Sequence, residues 1–367
     1  MPSPEYEANT YDKKFTDKLA GERVMLVGGA GFIGHNLALE LRGIGVETMV
    51  VDNLMWNSVI DNLYSTDLDP VQAEAYRGFL LDRFHLMRDA GVILFNGDAR
   101  NLMDLTRAFH EFSPTKVVHL TAISSAVEAR KNPGLCFDLQ LVPLRNILEL
   151  SRERSDGVNQ VMTMSSSTVY GDFETPTVDE STRPRPHGMY ANTKYMAERL
   201  VRTYKEQHGL GCTIIRPSAL YGERCISRRV SQIFIENALT GKPLLLEGGG
   251  DGRLDFTYIR DLVDGMVRAL ATHLDNGPGK SETFNLTFGN ARTIAELASI
   301  VQSVIPNVII EERPRAEEKP IRGTLSTDHA QEKLDFKAKW TLEEGYKRYC
   351  EWYVEQWERA KRWVAQS

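Results

Sequence analysis

Val24-Met25-Leu26-Val27-Gly28-Gly29-Ala30-Gly31-Phe32-Ile33-Gly34 is the stretch whose reading decides the fold. A short apolar run enters a glycine turn, and a helical pattern follows from His35 to Arg42, with Leu37, Leu39 and Leu41 among its apolar residues. Strand, glycine turn, helix is the context that turns a glycine motif into a dinucleotide site. In that reading Gly28 permits the tight turn, Gly31 lets the backbone approach a pyrophosphate, and Gly34 lets helix and strand pack closely. The helix N-terminus then offers unpaired N–H groups to the phosphates, and Phe32 and Ile33 beside it are candidate cofactor contacts. A second strand, Glu47-Thr48-Met49-Val50-Val51, ends at Asp52-Asn53, where a carboxylate can bind the adenosine ribose hydroxyls. Asp52 would repel a 2′-phosphate and no arginine follows it directly, so NAD is expected over NADP.

Tyr190 and Lys194 stand four residues apart, on one face of a helix. An ammonium beside a phenol favours the phenolate and lowers the tyrosine pKa from about 10 towards neutrality. Such a pair occurs by chance in many helices. Here it follows the glycine turn and a serine run, Ser165-Ser166-Ser167-Thr168-Val169-Tyr170-Gly171, in chain order.

Composition fits a soluble enzyme. The chain has 367 residues, the size of two domains or one enlarged α/β unit, and its net charge is 44 − 50 = −6 with no basic block. Nucleic acid is therefore not an expected partner. No apolar stretch approaches the roughly 20 residues that span a membrane, and Met1 to Glu22 lacks the apolar core of a signal peptide. Cys136, Cys212, Cys225 and Cys350 are far apart, without metal-ligand spacing, which points to reduced thiols in a cytoplasm. Cys225 lies in a polar loop and is the least easily assigned to packing.

Strand-like and helix-like stretches alternate over the first two-thirds, as a doubly wound parallel α/β sheet requires. The expected division is an N-terminal extension over 1–21, a dinucleotide-binding domain over 22–216 to which later segments return, a mainly substrate-binding domain over 217–350, and a terminal helix over 351–367. Between Asn53 and Gly91 lies a long connection whose second half, Val71 to Arg88, has helical periodicity and predicts one inserted helix. An amphipathic helix is also expected from Leu342 to Ala365, carrying Tyr346, Tyr353 and Trp357 for packing.

With these pieces placed, the chain resembles the extended short-chain dehydrogenase/reductase family of nucleotide-sugar epimerases and dehydratases. The resemblance runs from about Glu22 to Tyr353. It rests on the glycine turn, Asp52-Asn53-Leu54, Gly97-Asp98, His119 to Ala122, the serine run, Tyr190 to Lys194, the stretches opening at Arg216, Asp255 and Phe284, and arginines before Asp328. It implies that Gly28, Gly31 and Gly34 hold the NAD pyrophosphate, Asp52 the ribose, and Asp98 with Ala99 the adenine edge. Asn53, Leu120, Thr121 and Ala122 complete the implied cofactor wall. Tyr190 becomes the acid/base, Lys194 the ligand of the nicotinamide ribose, and Ser166 the hydrogen-bond partner of the sugar oxygen, with Ser124 and Thr168 beside the substrate. Arginines match phosphate oxygens, so Arg224, Arg228, Arg229, Arg253 and Arg315 are candidate clamps for a nucleotide-diphosphate sugar; Arg253 and Arg315 align best.

The resemblance also ranks the reactions. Similar dehydratases carry Asp-Glu directly after the serine or threonine, where this chain has Ser167 and Thr168, and decarboxylases usually place Glu at the position of Thr168. The pattern is most like the 4-epimerases, which oxidise the sugar at C4 and return hydride to its other face. A C4 dehydrogenase/reductase, a 4,6-dehydratase or a decarboxylase is the alternative on the same platform, and a non-catalytic NAD-binding regulator the alternative of another class. The intact Ser166, Tyr190 and Lys194 set argues against the regulator. Departures gather on the substrate side: Gln140 to Leu144 replaces a usual Asn-x-x-Gly-Thr, Ser124 stands for a lysine near the cofactor phosphates, and Arg260 for an acidic residue. A homodimer built from helices around Phe137–Ser151 and Tyr190–Tyr204 is expected, as in similar proteins.

Overall fold

The computed structural model describes residues 6, 8–56, 59, 68–123, 126–153, 157–272, 282–315 and 320–366. Its centre is a seven-stranded parallel sheet of β1 (Arg23–Val27), β2 (Glu47–Asp52), β3 (Ile93–Asn96), β4 (Lys116–His119), β5 (Gln160–Met164), β6 (Cys212–Arg216) and β7 (Glu282–Asn285). The spatial order is β7-β6-β5-β4-β1-β2-β3, so the winding direction reverses between β1 and β4. Open α/β sheets bind ligands beyond the carboxyl ends of the strands at such a reversal.

Alternation along β1 sorts the core into two layers. Val24 and Leu26 join a cluster on one face with Leu37, Phe79, Val263 and Tyr353. Met25 and Val27 join the opposite cluster with Leu105, Leu144 and Val201. The first face is covered by α1 (Lys13–Leu19), α2 (Phe32–Gly43) and α3 (Pro70–Asp89), the second by α4 (Leu102–Phe112), α5 (Ala126–Lys131), α6 (Pro133–Glu153) and α7 (Gly188–His208). Beyond β6 come α8 (Val230–Leu239), α9 (Ile259–Ala271), α10 (Ile294–Val304), α11 (Asp328–Leu334) and α12 (Leu342–Val364).

β7 pairs with β6, Phe284 opposite Ile215, and α9 packs on α2. Smaller pairings, such as Leu244–Glu247 with Ile310–Arg313, build the remaining lobe. The inserted helix α3 starts at Pro70, with Asp69 as its cap accepting from the Val71 N–H. It packs on α12: the Phe79 ring centroid is 4.8 Å from that of Trp352 and 5.4 Å from that of Tyr353. The N-terminal extension is laid against α2. There the buried Glu40 carboxylate accepts from the hydroxyls of Tyr6 at 2.8 Å and Tyr11 at 3.1 Å, and from the Asn9 N–H. Pro143 lies inside α6. Among the described residues no helix is long and apolar enough to cross a membrane.

Candidate active site

The carboxyl ends of β1, β2 and β4 open onto a cavity of about 340 Å³. Its glycine wall has the dimensions of a phosphate cradle. Gly28 sits at φ +81°, and a Cβ there would stand 2.8 Å from the Thr121 backbone nitrogen. A Cβ on Gly34 would lie 2.3 Å from the Gly29 carbonyl oxygen, so helix and strand meet only because the side chain is missing. At Gly31 a Cβ would meet only the Gly28 carbonyl, at 3.6 Å. That space belongs to the cavity and is open to a ligand's phosphates. Gly28, Gly31, Phe32, Ile33, Gly34, Asp52, Asn53, Leu120, Thr121 and Ala122 all line the cavity. The Thr121 hydroxyl is buried without a hydrogen-bond partner, an orphan that a bound group can satisfy.

Asp52 ends β2 with its carboxylate accepting from the Ala30 N–H at 3.0 Å and the Leu54 N–H at 2.8 Å. Burial raises its pKa above the ordinary value, while those two bonds and the nearby Arg83 oppose the rise. Asn53 donates to Asp98 at 3.2 Å, which joins the ends of β2 and β3 where the adenine is expected. Arg100 grips Asp98 through two nitrogens and holds its carboxyl below the usual range. The Ala99 carbonyl accepts from Asn146 at 3.0 Å.

The candidate proton-transfer groups lie at the end of β5. Lys194 is 4% exposed, and its Nζ donates to the Met164 carbonyl at 2.8 Å. One helical turn back on α7, the half-buried Tyr190 has its ring centroid 5.9 Å from that Nζ. Burial pushes the Lys194 pKa down to about 7; Cys136 opposes the shift and Arg229 adds to it. Ser166 caps the turn Ser167–Tyr170, its Oγ accepting from the Thr168 N–H at 3.2 Å and lying 3.0 Å from the Thr168 hydroxyl. Below them Ser165 donates to Glu198 at 2.6 Å, and Glu198 takes two bonds from Arg216, at 2.8 and 2.7 Å. This buried charge pair ties α7 to β6 beneath the reacting groups. His119 bonds Thr163 at 2.9 Å and is held neutral, its pKa pushed down to about 3 by burial and by Lys194.

A family model described as "NAD dependent epimerase/dehydratase family" matches residues 24–287. The chain belongs to that family. UDP-glucuronate 4-epimerase 2 of Arabidopsis thaliana is 26% identical over 362 residues, covering 94% of this chain and 79% of the plant protein. The dTDP-glucose 4,6-dehydratase of Shigella flexneri is 23% identical over 359 residues, 90% of this chain and 92% of that one. The solved structure of Thermus thermophilus UDP-glucose 4-epimerase in complex with NAD superposes with a TM-score of 0.73 at 25% identity, covering 90% of this chain and 99% of that one. NAD is the cofactor of this epimerase/dehydratase, and the glycine cradle, the Asp52 carboxylate and the orphaned Thr121 hydroxyl fit it.

The family's substrate side is less closely drawn by the sequence. Arg224 is 5% exposed, its guanidinium 6.0 Å from the Trp352 ring centroid and its backbone left-handed at φ +64°. Arg253 donates to the Ala291 carbonyl at 3.0 Å, and Arg315 pairs with Asp251 at 3.6 Å; both lie outside the cavity lining. Arg228 is exposed and 3.5 Å from Glu236. Ser124 lies outside the described residues. Cys225 is buried with its sulfur 3.0 Å from the Ser227 hydroxyl, and the other three thiols are buried as well. Among the described residues no cluster of metal-ligating side chains occurs.

Arg83 is a cavity residue that the motif reading misses. It lies 1% exposed on α3, its Nε donating to the Arg224 carbonyl at 3.2 Å and its Nη1 to the Ala30 carbonyl at 3.3 Å. One guanidinium thus spans the glycine wall and the wall opposite. The signal for it was an arginine one turn beyond Phe79, on the apolar face of the periodic stretch.

Proposed function

We propose that this enzyme is a nucleotide-sugar 4-epimerase. The observation that carries the reading is the placement of Tyr190, Lys194 and Ser166 at the end of β5, beside the glycine cavity. Tyr190 takes the proton of the sugar's C4 hydroxyl and later gives it back, as a general base and then a general acid. Ser166 donates a hydrogen bond to the same sugar oxygen. Lys194, fixed by the Met164 carbonyl, adds a donor and a charge that varies near neutral pH. Bound NAD supplies the hydride acceptor and donor for C4. The serine run favours epimerisation over dehydration. Ser167, whose hydroxyl is 3.3 Å from that of Ser218, and Thr168 offer no carboxylate for an elimination.

Relatives named for UDP-glucuronate make UDP-sugars the first substrates to test, and UDP-glucuronate the first among them. The protein would be incubated with UDP-, GDP-, dTDP- and CDP-sugars and the products read by NMR. Interconversion of C4 epimers without net NADH is the expected result. Stoichiometric NADH would replace the reading with an oxidase, and loss of water or carbon dioxide with a dehydratase or decarboxylase.

The enzyme serves carbohydrate biosynthesis in the cytoplasm as a homodimer, packed through α6 and α7. Phe137, Met189 and Met196 are exposed on these helices and motivate the pairing. A strictly monomeric mass by light scattering at micromolar concentration would count against it.

A further inference from the structure

Tyr190, Lys194 and Glu198 follow one another at four-residue steps on α7, so they share one face of that helix. Glu198 is fully buried and its carboxylate is well supplied with donors. Oε1 accepts from the Ser165 hydroxyl at 2.6 Å and from Arg216 Nε at 2.8 Å, and Oε2 from Arg216 Nη2 at 2.7 Å. Nη2 of Arg202 stands 3.1 Å from Oε2. Ser165, also buried, follows the last residue of β5 and precedes Ser166. The backbone of the serine run is pinned to the end of β6, the Ser165 N–H donating to the Ile215 carbonyl at 2.7 Å and the Ser167 N–H to the Pro217 carbonyl at 2.9 Å. Consecutive residues join that run to α7. The Met164 carbonyl accepts from Lys194 Nζ at 2.8 Å, and Ser165 donates to Glu198. The two ties differ in their duties. Lys194 is also the proposed ligand of the nicotinamide ribose, whereas Glu198 has no second task.

We propose that Ser165 and Glu198 are positioning residues, whose bond sets the separation between Ser166 and Tyr190 so that both hydroxyls reach the same sugar oxygen. The inference rests on the reading of Ser166 and Tyr190 as the groups that share that oxygen. A carboxylate suits this task better than apolar packing, because charge-assisted hydrogen bonds fix direction as well as distance. One oxygen holds the serine run while the guanidinium fork of Arg216 holds the carboxylate itself. Geometry of this kind matters for rate. A general base must stand within about 2.6–3.2 Å of its proton's heavy atom, and a misplacement of about 1 Å can cost on the order of a hundredfold. Removing the Ser165 hydroxyl isolates the effect. The contacts from Arg216 and Arg202 remain, so the buried charge stays paired and α7 stays anchored to β6, while the serine run loses its bond to Glu198.

The test is a single turnover of full-length, NAD-loaded enzyme in saturating excess over UDP-glucuronate, or over whichever sugar of the panel the wild type turns over. Under those conditions the rate constant does not depend on how much of the enzyme is folded, so a merely structural loss leaves it unmoved. Ser165→Ala should lower the rate constant by roughly ten- to hundredfold. Affinities for NAD and for the nucleotide-sugar should stay within about threefold of wild type, and the pH profile should keep its position because no charge has changed. Ser167→Ala removes a neighbouring buried hydroxyl that faces Ser218 instead of α7, and its rate constant should stay within about threefold of wild type. An unchanged rate constant in Ser165→Ala would overturn the assignment. An equal fall in Ser167→Ala would overturn it too, by giving the effect to the packing of the serine run. Near-full activity in Tyr190→Phe would be a different failure, that of the catalytic reading itself, and would take this inference with it.

Discussion

The two walls of the cofactor cleft are built on opposite principles. The glycine wall and the ledge carrying Tyr190 and Lys194 are made from neighbours in sequence, and their shape depends on side chains that are missing or on a four-residue spacing. The facing wall is assembled from residues scattered over most of the chain. Arg83 on α3 holds the carbonyl of Arg224, 141 residues away. Nearby, the buried Glu236 carboxylate on α8 accepts from Tyr76 of α3 at 2.5 Å and from Tyr353 of α12 at 2.7 Å, with Gln72 and Gln232 each donating at 2.8 Å. The lesson is a division of labour: the ledge is proposed to do the chemistry and its side chains can change without loss of the fold, while the facing wall keeps the cleft in shape and tolerates little.

If that division holds, a change on the ledge should damage rate and spare the fold. Tyr190→Phe keeps the ring's packing and removes the proton acceptor. Turnover on the true substrate should fall by roughly 10²–10⁴, with NAD affinity and melting temperature unchanged. Near-full activity in this variant would refute the mechanism and leave the fold standing. A change in the facing wall should do the reverse. Glu236→Ala strands hydroxyl and amide donors that are buried together, each costing about 1–3 kcal/mol when unpaired. A loss of roughly 3 kcal/mol in denaturant unfolding is expected from that orphaning. Glu236→Gln, which keeps an acceptor oxygen, should lose less. A stable Glu236→Ala protein would mean that the network is decoration.

This contrast also explains what was legible in the sequence. The strand–glycine–helix unit, Asp52 and the Tyr190–Lys194 spacing are local, so a single pass along the chain finds them. The amphipathic tail is likewise local: Tyr346, Tyr353 and Trp357 share a face and are buried in α12. Arg83 and Arg224 were not legible in this way. Arg83 sits among the apolar residues of a periodic stretch and Arg224 reads as a phosphate clamp, and only the folded chain shows that backbone carbonyls hold the first and Trp352 covers the second. The strand β7 was seen as a motif around Phe284 and not as a sheet edge, because its partner β6 lies some seventy residues earlier.

Lys194 crosses the division, since a functional ammonium is buried inside the fold. Its pKa is pushed from the ordinary 10.5 to about 7. Below pH 7 folded and unfolded chains both keep the proton, and the folded one bears the whole burial cost. Between about 7 and 10.5 the unfolded chain holds a proton that the folded chain has released, so stability rises with pH across that window. Lys194→Met removes this titration. In nucleotide-free protein the wild type should gain stability relative to Lys194→Met from pH 7 to 9, by an amount on the order of 1–2 kcal/mol. Parallel pH profiles of the two melting temperatures would show that the ammonium is not buried as described.

The smallest effect is expected at Asp52, an acid that shapes the glycine wall and is proposed to choose the cofactor. Its carboxylate holds the loop by accepting from the Ala30 and Leu54 N–H groups, and as the proposed partner of the adenosine ribose it would repel a 2′-phosphate. Charge repulsion there should make NAD bind at least roughly tenfold tighter than NADP, which is about 1.4 kcal/mol. Asp52→Asn keeps an acceptor oxygen but loses the charge. Both cofactors should then bind more weakly, through the loosened loop and the lost ribose bonds. The preference should nonetheless shrink to about threefold or less, because Arg83, the nearest cation, is already committed to carbonyls and is not free to welcome the phosphate. Equal affinities in the wild type would break the NAD assignment of Asp52, and a full switch to NADP in Asp52→Asn would show that Arg83 can let go of the wall it braces.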